Sequence, residues 1–198
     1  MKRTIGIFAI TSIFALALAG GASAKDKSVR QMSHDEMIKT ARSAAPPQIS
    51  DNATIMIPGV DGKLQEAVKG SNGFTCIPDI SAQERPDPVC ADGPGTEWIM
   101  SVMNNEPKPA NTEPGVGYMA QGGWHWEKDG KVIMDPKTPN AKRVKEPPHW
   151  MIFWPFSAEE TRLPDRHVDD FGTYVMYDGT PYAHLMIYQN PNKLPKKK

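Results

Sequence analysis

Two short segments in the carboxyl-terminal third combine histidine with methionine, a pairing that can bind soft metal ions. Residues 149–153 and 184–188 share one pattern: histidine, an apolar residue, methionine, isoleucine and an aromatic residue. Because side chains alternate across a β-strand, each histidine lies on the same face as the methionine two positions later. If the two strands are neighbours with these faces aligned, four ligands converge: His149, Met151, His184 and Met186. Imidazole with thioether suits Cu(I), so copper is the candidate cofactor, and His125 is a candidate third imidazole.

The same residues also fit an ordinary hydrophobic core. Methionine and aromatic side chains in strands are usually core residues, and a buried histidine usually hydrogen-bonds to the backbone or to a carboxylate. A five-residue pattern also recurs easily by chance. The sequence leaves both interpretations open.

An exported enzyme with a histidine acid or base is a further alternative. His167 is followed closely by Asp169 and Asp170, which could orient its imidazole, and His184 could act beside a carboxylate in a pocket. A charged run of this kind is more often a solvated loop. The motifs of the common hydrolases, nucleotide-binding proteins and metalloproteases are absent, so the sequence identifies no reaction.

Tryptophans form the third group of candidate site residues. The chain has five, and two of them flank His125 between glycine-containing segments where a large ring is hard to bury fully. Aromatic groups bind ligands through contact area rather than through reactivity. We therefore expect a non-catalytic binding protein for a small molecule or a periplasmic protein, with three ligand-binding residues: Trp124, Trp126 and Trp150.

The amino terminus has the layout of a secretory signal peptide. Lys2 and Arg3 precede an almost wholly apolar run over residues 5–18, and Ala22-Ser23-Ala24 offers small residues for a signal peptidase. We expect cleavage after Ala24 and a soluble periplasmic or secreted protein. No later stretch is long and apolar enough to span a membrane.

The charge balance argues against nucleic acid as a partner. Without the two bases of the signal peptide, 21 basic and 23 acidic residues remain, a net charge of −2. Phosphate backbones require a basic face, which this chain lacks. We expect one domain over residues 25–192 and a disordered, lysine-rich tail over residues 193–198.

The two cysteines, Cys76 and Cys90, are predicted to form a disulfide. Paired thiols oxidise outside the cytoplasm, and the spacing lacks the further Cys or His residues of a metal or redox site. The bridge would fix a proline-rich loop that cannot pack by itself.

The element pattern predicts an α+β fold with a mainly antiparallel sheet and two flanking helices. A capping box at Ser33 predicts a helix to about Ala44, and Gly93-Pro94 opens a second one with Pro107 beyond its end. A tight hairpin is expected at Asp178-Gly179. Residues 136–148 are predicted to form a long surface loop. Seven strands are expected: 54–57, 64–69, 74–77, 116–121, 149–154, 173–177 and 182–189.

Three segments resemble a group of short secreted bacterial proteins to which no activity is assigned. They are residues 117–122, 148–152 and 174–186, and a weaker likeness extends through residues 74–79. The resemblance implies export, and it transfers no catalytic residue, cofactor or fold.

Overall fold

The structure, a computed structural model, describes residues 28–81, 85–168 and 172–195. The predicted signal peptide lies outside the described residues, as do the last three lysines of the predicted tail. Pro191–Lys193 forms a 3₁₀ turn just before them.

The secondary structure is α+β, as predicted. Four helices are described: α1 His34–Arg42, α2 Pro47–Ser50, α3 Gly93–Met103 and α4 Ala158–Thr161. Eleven strands are described: β1 Thr54–Pro58, β2 Leu64–Val68, β3 Thr75–Ile77, β4 Val89–Ala91, β5 Gly115–Met119, β6 Gly123–Lys128, β7 Lys131–Ile133, β8 Lys142–Glu146, β9 His149–Phe153, β10 Thr173–Met176 and β11 His184–Ile187.

Eight strands form the main sheet, in the order β10-β11-β9-β5-β4-β3-β1-β2. Every neighbouring pair is antiparallel except β1 with β3, which is parallel. The mainly antiparallel prediction is therefore confirmed.

The remaining strands form a separate small sheet, in the order β7-β6-β8. The sequence prediction of a surface loop over residues 136–148 is wrong, because β8 pairs with β6 along its whole length. The prolines that suggested a loop flank β8 rather than interrupt it, so they do not remove its ladder hydrogen bonds.

The hairpin between β10 and β11 is wider than predicted. Gly179 has the positive φ of 76° that an Asp-Gly turn needs, but residues 177–183 all lie between the two strands. Tyr182 therefore precedes β11 instead of belonging to it.

The two faces of the main sheet carry separate cores. The inner face, defined by Met119, Met151, Tyr174 and Met186, packs against Trp98 and Ile99 of α3. The outer face carries Ile55, Ile57 and both cysteines, and it packs against Ala41 and the chain that follows α1. The small sheet lies over the inner face.

The two longer helices begin where the sequence predicts. Ser33 caps α1, its Oγ accepting from the Glu36 N–H at 3.3 Å while the Glu36 carboxylate accepts from the Ser33 N–H at 2.7 Å. Asp92 caps α3 by accepting from the Gly95 N–H at 2.9 Å. Within the described ranges, no helix combines the length and apolarity needed to cross a bilayer.

The predicted disulfide is present and joins neighbouring strands. Cys76 and Cys90 are direct cross-strand partners on β3 and β4, and both side chains are fully buried in the outer core. The bridge closes the proline-containing connection between these strands.

Reducing this disulfide is expected to lower the free energy of unfolding by about 3 kcal/mol, because a closed loop of this length restricts the unfolded chain. Urea unfolding of the wild type with and without reductant measures the effect. The Cys76→Ala, Cys90→Ala variant is the control, since reductant should leave its midpoint unchanged. Equal wild-type midpoints in both conditions would contradict the prediction.

Candidate functional site

The two His–Met segments lie on adjacent strands of the main sheet. β9 and β11 are antiparallel neighbours, and Met151 is the direct partner of Met186. Both methionines are buried on the inner face, at 4% and 1% exposure. The strand neighbourhood that the metal hypothesis needs is therefore present.

The register nevertheless places the two histidines at opposite ends of this strand pair. His149 lies beside Tyr188, with ring centroids 6.0 Å apart, and His184 lies beside Phe153 at 5.6 Å. His149 and Phe153 are four residues apart on β9, which is about 13 Å along the strand at the usual rise per residue. An antiparallel pairing reverses the second segment, so this register does not bring His149 and His184 together and gives no support to an ion shared by both.

His184 is a core histidine. Its ring packs edge-on against Trp98 at 4.8 Å and lies 5.7 Å from the Tyr177 ring, and its Nδ1 bonds to the Tyr182 carbonyl oxygen at 2.9 Å. Burial lowers the pKa of His184 to about 4. The ring is therefore neutral at physiological pH.

His149 has a different environment at the end of the sheet. Its Nδ1 donates to the Pro147 carbonyl oxygen at 2.7 Å, while its Nε2 is buried without a hydrogen-bond partner in the described part of the chain. Burial lowers the pKa of His149, and the nearby Glu146 charge opposes that shift. The cross-strand partner of His149 is Met119.

His125 lies between two carboxylates in the small sheet. Its Nε2 is 2.9 Å from Glu127 Oε1, and its Nδ1 forms an ion pair with Glu146. Burial by itself would lower the pKa of His125, but the hydrogen bonds and charges of Glu146 and Glu127 outweigh it and raise the pKa. His125 is 2% exposed, so both contacts to the carboxylates are buried.

Glu146 also connects the small sheet to the main sheet. Its Oε1 accepts from Tyr174 Oη at 2.8 Å, and its Oε2 accepts from Tyr188 Oη. Burial works to raise the pKa of Glu146, but His125 and the other partners outweigh burial and lower it. The carboxylate is therefore charged, and three side chains converge on it: His125 of β6, Tyr174 of β10 and Tyr188, which directly follows β11.

A glycine turn lets the chain approach the backbone of Glu146 closely. Gly122, between β5 and β6, has a φ of +75°, and a Cβ at this position would lie 2.2 Å from the Glu146 carbonyl oxygen. Any other residue would push the start of β6 away from β8. The turn thereby fixes the ends of the two strands that carry His125 and Glu146.

The sequence prediction missed Glu146 because the residue falls in the segment predicted to be a loop. A usable signal was present, since a strand over residues 142–146 would place Val144 and Glu146 on one face. His125 was identified as a candidate, but as a metal ligand and not as an ion-pair partner.

The three candidate tryptophans do not form one surface. Trp124 and Trp126 alternate with the inward-facing His125, so both lie on the far side of the small sheet, where Arg143 stacks 4.3 Å from the Trp124 ring centre. Trp150 lies on the outer face of the main sheet and is paired with Tyr118. The alternation of strands separates Trp150 from the other two.

His167 is exposed, and its ring lies 4.5 Å from the ring of Tyr188. Asp169 and Asp170, its predicted orienting partners, lie outside the described residues. The described part of the chain has a groove beside the β1–β2 hairpin and a smaller cleft beside His149, and neither is lined by His167 or His184.

A groove of about 850 Å³ lies at the opposite end of the main sheet. The β1–β2 hairpin, the start of α1 and the end of α3 form its walls. Half of its sixteen lining residues are aliphatic or thioether: Val29, Met32, Met37, Val60, Leu64, Ile80, Val102 and Met103. The groove could not be predicted from the sequence, since these residues are distant in the chain.

Asp79 forms part of one groove wall, and its carboxylate organises the loop. Its Oδ1 accepts from the Ser81 N–H at 3.0 Å and from the Asp87 N–H at 3.3 Å. Asp87 lies behind Asp79. Its pKa is raised to about 8, mainly by burial and secondly by the charge of Asp79. The acidic pair is thus neutralised in part and does not give the groove a strong negative field.

A second, smaller cleft lies at the end of the main sheet beside His149. It has a volume of about 590 Å³, and its walls come from residues 120–121 and 145–148. Met119 and His149 immediately adjoin these two segments.

No family model, curated protein or solved structure matches this chain. The resemblance to secreted bacterial proteins therefore stays a prediction, and the functional proposals depend on the geometry.

The buried His184 predicts a loss of stability in acid. Its folded-state pKa of about 4 lies below its ordinary value of 6.5, so the unfolded chain binds a proton that the folded chain does not. The stability that this difference contributes is complete above the ordinary pKa and is lost as the pH falls toward the folded pKa. The expected loss is on the order of 3 kcal/mol, measured by urea unfolding across this range.

His184→Asn should weaken this acid dependence, because the amide keeps an N–H for the Tyr182 carbonyl but does not titrate in this range. His34→Asn, at an exposed position, is the control and should keep the wild-type dependence. The same pH dependence in His184→Asn as in the wild type would show that another group is responsible.

Proposed function

We propose that the protein is an exported, non-catalytic binding protein that holds an apolar small molecule in the groove between the β1–β2 hairpin and α3. The observation that carries the proposal is the size and chemistry of this groove. Its volume of about 850 Å³ matches the few hundred to ~1,000 Å³ of typical ligand sites. The disulfide and the basic n-region with its apolar run support export.

The lining favours a ligand without net charge. Three of the lining residues are methionines, whose flexible thioethers adapt to ligands of different shape. Leu64, Val102 and Met103 also pack against the inner core, so the floor of the groove is anchored to the main sheet and α3. Binding here would remove apolar surface from water without requiring buried charges to be paired.

The groove lining also contains polar groups. Affinity for a ligand would nevertheless come mainly from the apolar residues of the groove floor. Arg30 contributes a positive charge and Asp61 a negative one, and Asp61 Oδ1 already accepts from the Lys63 N–H at 3.1 Å. These groups could orient a polar end of the ligand. They do not select for a strongly charged one, because the positive charge of Arg30 opposes the negative charges of Asp61 and Asp79.

The other candidate functions have less support from the geometry. An acid–base enzyme at His184 would need a route for substrate to a ring that is enclosed by Trp98, Phe153 and Tyr177. A surface built from all three tryptophans would need Trp150 on the same side as Trp124. We therefore place ligand binding in the groove.

A neutral fluorescent probe, N-phenyl-1-naphthylamine, tests the proposal directly. We expect saturable binding of one probe molecule per chain to the wild type. Met103→Lys places a charge among the lining residues and should weaken probe binding by about tenfold or more, since burying an unpaired ammonium group costs several kcal/mol.

Met134→Lys is the matched control, because Met134 is an exposed methionine outside the groove. It should bind the probe as tightly as the wild type. Circular dichroism and thermal unfolding establish that each variant is folded. Equal probe affinity in Met103→Lys and Met134→Lys, or no saturable binding to the wild type, would refute the proposal.

A further inference from the structure

Three buried methionines, Met119, Met151 and Met186, lie on the same face of the main sheet as His149. Met119 is the cross-strand partner of His149, and Met151, two residues beyond His149 on β9, is the partner of Met186. Opposed side chains in such a sheet have Cβ atoms about 5 Å apart, and diagonal neighbours are about 7–8 Å apart. Long thioether side chains can cover these distances and meet at one point.

The tautomer of His149 directs a lone pair into the protein. The Pro147 carbonyl oxygen can only accept a hydrogen bond, so Nδ1 carries the proton and Nε2 carries the lone pair. This Nε2 is buried and has no hydrogen-bond partner among the described residues, although buried polar atoms normally have one. Metal-bound histidines characteristically donate their other N–H to a carbonyl oxygen in this way.

One nearby carboxylate offsets part of the cost of placing a positive charge beside His149. Burial lowers the pKa of His149, which keeps the imidazole neutral; the Glu146 carboxylate opposes that shift, and His125 adds to it. A soft monovalent ion held by neutral thioether and imidazole ligands would bring one positive charge toward that carboxylate. The desolvation of such an ion would be offset in part by Glu146.

The smaller cleft opens beside this end of the sheet, although neither Met119 nor His149 lines it. The smaller cleft is lined by Ala120, which follows Met119, and by Pro148, which precedes His149. The paired ends of β5 and β9 therefore adjoin open space. The other end of β9, near His184, lacks a described cleft lined by that histidine.

From this arrangement we propose that His149 Nε2, with the sulfur atoms of Met119 and Met151, binds one Cu(I) ion, and that Met186 lies beside the site as a further sulfur donor. Thioether and imidazole are the ligands that a soft ion such as Cu(I) selects. The bonds form from lone pairs, so binding neither releases a proton nor changes the oxidation state. His184 takes no part.

Methionine methyl resonances locate the bound ion without any substitution. Protein labelled with ¹³C at the methionine methyl groups is titrated with Ag(I), a redox-stable analogue of Cu(I), in a chloride-free buffer. We expect the resonances of Met119 and Met151 to shift until one equivalent is bound, while that of Met176 stays in place. Shifts confined to the groove methionines Met32, Met37 and Met103, or no shifts, would overturn the proposal.

Cu(I) affinity, measured under anaerobic conditions against a chromophoric chelator, provides the second test. Met119→Leu and Met151→Leu nearly conserve volume, and each should weaken binding on the order of tenfold or more. Met176→Leu is the matched control, since Met176 is buried on the same face but two strands away on β10. Equal Cu(I) affinity in all three variants and the wild type would overturn the assignment.

Discussion

The buried carboxylate of Glu146 is the interaction on which the arrangement of the two sheets depends. It is 1% exposed and accepts from Tyr174 and Tyr188 of the main sheet while it pairs with His125 of its own sheet. A charged group removed from water is tolerated only when such partners replace its hydration. Because those partners come from both sheets, separating the sheets would leave a buried charge without compensation, which costs several kcal/mol. The two sheets are thus joined by a directional polar contact as well as by apolar packing.

This constraint determines which surfaces remain for function. The small sheet covers one end of the inner face, and the methionines and His149 beneath it are buried. The larger groove lies toward the other end of the main sheet, among β1, β2 and α3, where the small sheet contributes no lining residue. Ligand binding in the groove and ion binding at His149 are therefore separate properties, and the loss of one would not imply the loss of the other.

The sequence predicted those features that depend on local chemistry. The capping box at Ser33, the disulfide and the shared faces of the His–Met strands follow from residue types and spacing, and the structure contains all three. Features that depend on register and on distant contacts were not accessible. Strand direction decided that His149 meets Tyr188 rather than His184, and no residue in either segment encodes that direction by itself. Glu146 was missed because prolines on both sides of β8 resemble those of a loop, and the groove was missed because its walls come from remote segments.

Native-state hydrogen exchange of the Tyr174→Phe, Tyr188→Phe variant tests the role of Glu146 most directly. The substitutions keep both rings and remove only the two hydroxyl groups that donate to the carboxylate. Weaker bonding between the sheets should allow the small sheet to open locally, so amide protection is expected to fall in β6 and β8 while β3 and β4 stay protected. Unchanged protection in β6 and β8, or an equal loss in all of these strands, would contradict this account.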